Sequence, residues 1–489
     1  MSKSIIELSP REVWENFHAL TRVPRPSHHE EKARAFIMQW AKEHGIQAEI
    51  DEACNILLSK PATPGMENRE GVILQGHLDM VPQKNRDKVH DFTKDPIDAR
   101  VEGEWVTADG TTLGADNGIG VAAAMAVLLS KDIPHGPLEV LITATEETGM
   151  DGANGIRQGW LKGNILLNLD SETEGELYVG CAGGVNGKAI FYYRPEPVPD
   201  FNKAFKLSVV GLRGGHSGMD IHLGRGNANK LFFRLLKSLN WECGMNVHVA
   251  SMEGGNMRNA IPREAVAVVT VYDDDVPKLV EAVKTIEATF RTELQATEPD
   301  LACLLEPTTR PDYVIDYRKQ RHITNAILAC PNGAVRMIDS MPDTVETSNN
   351  LAIVKMEKDC AEVNMLLRSS VESAKKALAQ SVQAAFELAD ADEIGFTGGY
   401  PGWEPNPASR IRETMIATRE RLYGEKPAIM AIHAGLECGI LGAAYPRWDM
   451  ISFGPTILSP HSPDEKVNIA SVGKFWEYMQ ATLAAIPSK

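Results

Sequence analysis

Cysteine is scarce and scattered. The seven residues (Cys54, Cys181, Cys243, Cys303, Cys330, Cys360 and Cys438) are spread over 489 positions with no CxxC pair. Their odd number argues against a disulfide framework and fits reduced, mostly buried thiols in a cytoplasmic protein. Long hydrophobic runs are missing too. No apolar stretch reaches the roughly 18–20 residues of a membrane span, and residues 1–12 have no cationic segment leading into an apolar core. Neither a membrane nor a secretory route is expected. Basic residues are outnumbered, 50 Lys and Arg against 66 Asp and Glu, for a formal net charge of -16. A surface of that sign repels phosphates, so the charge argues against a nucleic-acid partner.

What is present is an ordinary globular composition, 43% hydrophobic and 24% charged. The length exceeds the roughly 250–300 residues at which one core stops growing, so at least two domains are expected. Short Val-, Ile- and Leu-rich runs at 71–75, 138–143, 165–169 and 450–453 read as buried strands of a helix-covered sheet. Helical patterns fall at 30–43, at the Ala-rich stretch 118–129 and at 410–423. This is an α/β layout with a mostly parallel sheet.

The middle of the chain has another rhythm. Strand, helix, strand, strand and long helix are predicted at 204–210, 227–239, 245–252, 265–272 and 277–294, the order of a ferredoxin-like unit. A second set follows, with a helix at 315–330, strands at 333–338, 351–356 and 362–368, a helix at 371–388 and a strand at 393–397. The expected division is a catalytic α/β domain over 1–185 and 402–489, interrupted at 186–401 by an α+β lid made of two ferredoxin-like halves.

The residues suited to chemistry cluster at predicted strand ends, where ligands of open α/β sheets collect. His77 and Asp79 follow the first buried strand, Glu146 and Glu147 the second, Asp170 the third and His461 the last, while Asp116 opens the Ala-rich helix. Singly, each has an ordinary structural reading: a surface HxD, a solvated Glu-Glu pair, a capping aspartate. Together they form a histidine and carboxylate set without cysteine, the donor chemistry of hydrolytic zinc, manganese or cobalt sites. A pair of such ions requires a carboxylate shared between them.

The stretches Gly76-His77-Leu78-Asp79-Met80-Val81-Pro82, Gly114-Ala115-Asp116-Asn117-Gly118 and Glu146-Glu147-Thr148-Gly149 resemble the signatures of the carnosinase-like family of co-catalytic zinc peptidases. The resemblance implies two divalent ions per chain, zinc first with cobalt or manganese as alternatives. His77 and Asp170 would hold one ion, Glu147 and His461 the other, and Asp116 would bridge them across a cis Asp116–Asn117 bond. Asp79 would orient His77, and Glu146 would act as general base toward a water between the metals. Gly214-Gly215-His216-Ser217-Gly218 is similar to the family's lid motif, which makes His216 the expected oxyanion donor. Arg368 and Asn259 are the implied anchors of the substrate's α-carboxylate. Small-lid relatives carry that arginine shortly after their NxIP stretch, whereas here 265–272 has none and Arg368 lies in the second half. Backbone amides near Gly435 are a further candidate for the carboxylate, while His433 and Glu437 depart from the family's usual loop and receive no role.

The expected function is a cytoplasmic metal-dependent dipeptidase acting on dipeptides with free termini, Xaa-His among them, and forming a homodimer. Two other readings remain open at this stage: an N-acyl-amino-acid deacylase on the same scaffold, and a non-catalytic peptide-binding protein.

Overall fold

The computed structural model describes residues 4–489. Two compact units emerge: one takes the chain up to Gly180 together with Trp403–Ala431 and Leu436–Lys489, the other Cys181–Gly402 and Ile432–Gly435. Among the described residues no helix is long and apolar enough to cross a membrane.

The first unit is built on an eight-stranded sheet. Four of its strands, in the order Leu138–Thr143, Val72–His77, Ile165–Asn168 and Asp449–Ser452, run parallel to one another. Every residue of Val72–His77 is buried, as expected of a strand covered on both faces, and this is why the run lacks polar alternation. The helix Ala115–Leu129 is buried along all but its last residue. Its small side chains let it lie close to the sheet, and a Cβ on Gly76 would overlap Asn117 Oδ1. Antiparallel strands Gln47–Ile50 and Ile56–Lys60 extend one side of the sheet.

A separate four-stranded sheet orders Ile457–Leu458, Lys466–Asn468, Trp105–Ala108 and Ala99–Glu102. Ile457 pairs with Val467 and Leu458 with Lys466, so the intervening residues 459–465 form a hairpin tip. His461 rides on that tip.

The second unit carries a nine-stranded sheet and an extensive apolar core. Its first half has the spatial order Ala302–Pro307, Asn202–Val210, Ala265–Tyr272, His248–Gly254. Fourth, first, third, second is the ferredoxin-like arrangement, completed by helices Ala228–Lys237 and Val276–Glu293. The second half repeats it as Met341–Met356, Cys360–Ser369, Gly183–Tyr192, Glu393–Tyr400.

One expectation is corrected here. The two halves do not follow one another along the chain, because the second half takes its first strand from Gly183–Tyr192, ahead of the first half. The first half is nested between that strand and the helix Tyr317–Ala329. Gly333–Ile338, which sequence placed inside the second set, is a flanking strand paired only with Met341–Met356.

Candidate active site

Strand ends deliver the key side chains of the first unit. His77 closes Val72–His77, Glu146 and Glu147 lie three and four residues beyond Leu138–Thr143, and Asp170 lies two beyond Ile165–Asn168. Asp116 sits at the start of Ala115–Leu129, where its φ and ψ and those of Asn117 are not helical, and the Asp116–Asn117 bond is cis.

These residues meet. His77 Nε2 is 3.0 Å from Asp116 Oδ1 and 3.3 Å from Asp170 Oδ1. His461 Nε2 is 3.1 Å from Asp116 Oδ2 and 2.9 Å from Glu147 Oε2. Asp116 therefore turns one carboxylate oxygen toward each imidazole. Two sets of donors, His77 with Asp116 and Asp170, and Asp116 with Glu147 and His461, each lie within 4.8 Å of one another. Glu146 also falls within that distance of His77 and Glu147. Buried oxygens without a hydrogen-bond partner remain on Glu147 (Oε1) and Asp170 (Oδ1). Burying such atoms unsatisfied is costly, and a cation beside each removes the cost, so this donor set fits a metal pair.

The electrostatics point the same way. Hydrogen bonds to Asp116 and Glu147 push the pKa of His461 up to about 11. Burial alone would lower His77, but Asp170, Asp116 and Asp79 carry it well above its ordinary value. Negative potential is concentrated where positive charge would sit. Glu146 is raised well above the usual carboxylate range by burial, against the pull of His77 and with the push of Asp170, Glu437 and Glu147.

Asp79 organises the turn that carries both glutamates. Its Oδ1 accepts from Glu146 N–H (2.9 Å) and its Oδ2 from Glu147 N–H (3.2 Å) and Ser27 Oγ–H (2.8 Å). Its Oδ1 is also 3.4 Å from His77 Nδ1. Burial opposes its ionisation, yet these partners bring its pKa down to about 2.

The family model for peptidase family M20/M25/M40 matches residues 73–485. The chain belongs to this family. Across 483 residues, 99% of each chain, it is 46% identical to the cytosol non-specific dipeptidase of Escherichia coli (strain K12). Its fold matches the crystal structure of aminoacylhistidine dipeptidase from Vibrio alginolyticus with a TM-score of 0.95 and 48% identity, over 100% of this chain and 99% of that one. Aminopeptidase PepT from Bacillus cereus, at 15% identity and a TM-score of 0.57 over 98% and 99% of the two chains, shares the fold.

Several residues of this M20 peptidase that hold the site in shape escaped sequence reasoning. Arg25 is buried and donates to the carbonyls of Leu78, Asp79 and Gly114. Glu30 accepts from the N–H and hydroxyl of Thr145, the residue before Glu146. Glu437 lies beneath the strand ends, accepting at Oε2 from Gln75 Nε2 and Thr143 Oγ1, both at 2.7 Å. Burial pushes its pKa up to about 7. An arginine between two prolines and a glutamate after a glycine loop carry no periodic signal, and only their partners reveal them.

In the second unit of the peptidase, His216 Nδ1 accepts from the backbone N–H of Gly218 (3.2 Å) and Met219 (3.0 Å). Two donors at Nδ1 require the neutral tautomer with its proton on Nε2. Burial and the charge of Arg368 lower the His216 pKa and favour that neutral form. Arg368 is itself buried, donates to the Tyr400 hydroxyl (3.0 Å) and keeps Nε unpartnered. Asn259 is exposed and its carbonyl accepts from Ser217 N–H (2.8 Å); Gly435 is half-buried.

His433 is buried against Ser348, Nε2 to Oγ 2.7 Å. Burial first, then the charge of Arg368, push its pKa down to about 3. Unfolded histidine titrates near 6.5, so between about pH 6.5 and 3 the unfolded chain binds a proton that the folded chain refuses. The stability contributed by neutral His433 is complete above that window and is lost as pH falls through it, by up to about 1.4 kcal/mol per pH unit. Denaturant titrations across the window should show a slope that is smaller by up to one proton in His433→Gln. An unchanged slope would contradict a neutral buried imidazole.

Proposed function

We propose that this protein is a cytoplasmic metal-dependent dipeptidase that hydrolyses dipeptides with free termini, Xaa-His among them, using two divalent cations, with zinc the leading candidate. The observation that carries the reading is the shared Asp116, one oxygen toward His77 and the other toward His461. Near-full-length similarity to two dipeptidases supports it.

His77, Asp170, Asp116, Glu147 and His461 would hold the cations, which supply Lewis-acid polarisation of the scissile carbonyl and acidify the attacking water. Glu146 takes the proton from that water and returns it to the leaving amine. Its buried setting favours a carboxyl able to hold a proton at intervals. Asp79 keeps His77 and the Glu146–Glu147 turn in register. His216 offers its Nε2–H to the developing oxyanion; a preorganised donor of this kind lowers a barrier by roughly 3–4 kcal/mol. Arg368, with Nε unsatisfied, binds the substrate's α-carboxylate, assisted by Asn259 and the backbone near Gly435.

Substrate panels test the reading. Free dipeptides should be cleaved and N-acetylated amino acids left intact; the reverse would make the protein a deacylase. Arg368→Ala should raise KM for free dipeptides about 10- to 100-fold, as expected for a charged hydrogen bond of about 1.5–3 kcal/mol. The same substitution should leave C-terminally amidated dipeptides almost unaffected. Equal losses on both substrates would remove Arg368 from carboxylate recognition.

A further inference from the structure

Asp116 and His461 reach each other from distant parts of the chain, and the Glu465 side chain ties the two segments together. Glu465 ends the hairpin tip that bears His461 and is 2% exposed. Its Oε2 accepts from the backbone N–H of Leu113 (2.7 Å) and Gly114 (2.9 Å). Its Oε1 accepts from the N–H of Ala115 (2.7 Å) and Asp116 (3.2 Å). Four consecutive amides thus converge on one carboxylate. Gly114, with φ of 69°, supplies the left-handed turn that aims them together. On the carbonyl side, Arg25 Nη2 donates to Gly114 O at 2.5 Å.

The tip is fixed at its base as well. Thr107 Oγ1–H donates to Glu465 O (3.0 Å), and Glu465 N–H donates to Ser462 O (3.0 Å). Both Glu465 carboxylate oxygens are already engaged by two N–H groups each, so the residue is not itself a cation ligand.

We propose that Glu465 is a positioning residue that holds the His461 tip at the separation from Asp116 needed to load the cation on the Glu147–His461 side. The proposal rests on Asp116 and His461 being ligands. It singles out that cation for a geometric reason. His77 and Asp170 are carried by strand ends of the main sheet, whereas His461 rides on a hairpin tip tied to the Asp116 segment through Glu465.

Glutamine is nearly isosteric here but would turn its NH2 group toward two backbone N–H donors, so at least two of the four bonds fail. Positioning partners of metal ligands affect cation affinity by about 10- to 100-fold. Titration calorimetry and metal analysis of the full chain with Co2+ or Zn2+ should find two cations in the wild type. In Glu465→Gln one should bind as tightly as before and the other at least about tenfold more weakly, and activity should recover as the metal concentration rises. Recovery by metal is the readout that a merely structural lesion would not give. Glu465→Asp keeps the charge but is one methylene short, and should show an intermediate loss; it serves if the glutamine variant fails to fold, as judged by circular dichroism. His461→Ala separates the two claims. If it loses one cation while Glu465→Gln and Glu465→Asp keep both at wild-type affinity, the positioning role is overturned and the ligand assignment stands. If His461→Ala also keeps both, the ligand assignment itself fails.

Discussion

Glu146→Gln should lower kcat by about a hundred- to ten-thousand-fold, the range for loss of a general acid–base group, while the protein keeps its cations and its fold. The reasoning rests on a division between neighbours. Glu147 faces His461 at 2.9 Å and leaves its other oxygen buried without a partner, the environment of a ligand. Glu146 has no such imidazole contact, and burial together with nearby carboxylates raises it well above the usual carboxylate range. Glutamine preserves the size of the side chain and the backbone bond to Asp79 but cannot accept a proton. Steady-state kinetics alongside metal analysis decide the matter. A fall in kcat below tenfold, or loss of a cation from the variant, would move Glu146 out of the base role and into the ligand set, where its distance from His77 and Glu147 would also allow it.

Removing the cations should have the other very large effect. Dialysis against a chelator is expected to reduce dipeptide hydrolysis to background, and returning Zn2+, Co2+ or Mn2+ should restore it. Stability should follow. Asp116, Glu147 and Asp170 crowd around two imidazoles, and a ligand that binds only the folded state stabilises it by about 2.7 kcal/mol at a hundred times its dissociation constant. The melting temperature should therefore climb with cation concentration. Hydrolysis that survives complete chelation would defeat the metallopeptidase account.

Much of this arrangement was legible from residues alone. The strand runs ending near His77, Glu146 and Asp170 stood out because a doubly covered parallel sheet leaves unbroken apolar segments, and Val72–His77 is buried throughout. The Ala-rich helix was visible for the same reason, although its first turn was not: Ala115, Asp116 and Asn117 precede the apolar run, and Asp116 and Asn117 depart from helical geometry.

Edge and flanking strands were harder to see. Gln47–Ile50 is largely exposed, and Ala99–Glu102 and Trp105–Ala108 are four residues each, so none presents a hydrophobic signal. Met341–Met356 was recognised only over its apolar end, because Thr344, Glu346, Thr347, Ser348, Asn349 and Asn350 carry no apolar pattern. The nesting of one ferredoxin-like half inside the other was invisible for a topological reason. Gly183–Tyr192 finds its partners, Cys360–Ser369 and Glu393–Tyr400, more than 150 residues later, and no local pattern encodes so distant a pairing. The same applies to Arg25, Glu30, Glu437 and Glu465, whose side chains hydrogen-bond to remote segments.

The central claim is that two cations share Asp116. Anomalous diffraction at the metal edge, from crystals grown with Zn2+, tests it directly. Two peaks are expected about 3.5–4 Å apart, one beside His77 and Asp170 and the other beside Glu147 and His461, with an Asp116 oxygen directed at each. A single peak, or a pair that leaves Asp116 uncoordinated, would contradict it.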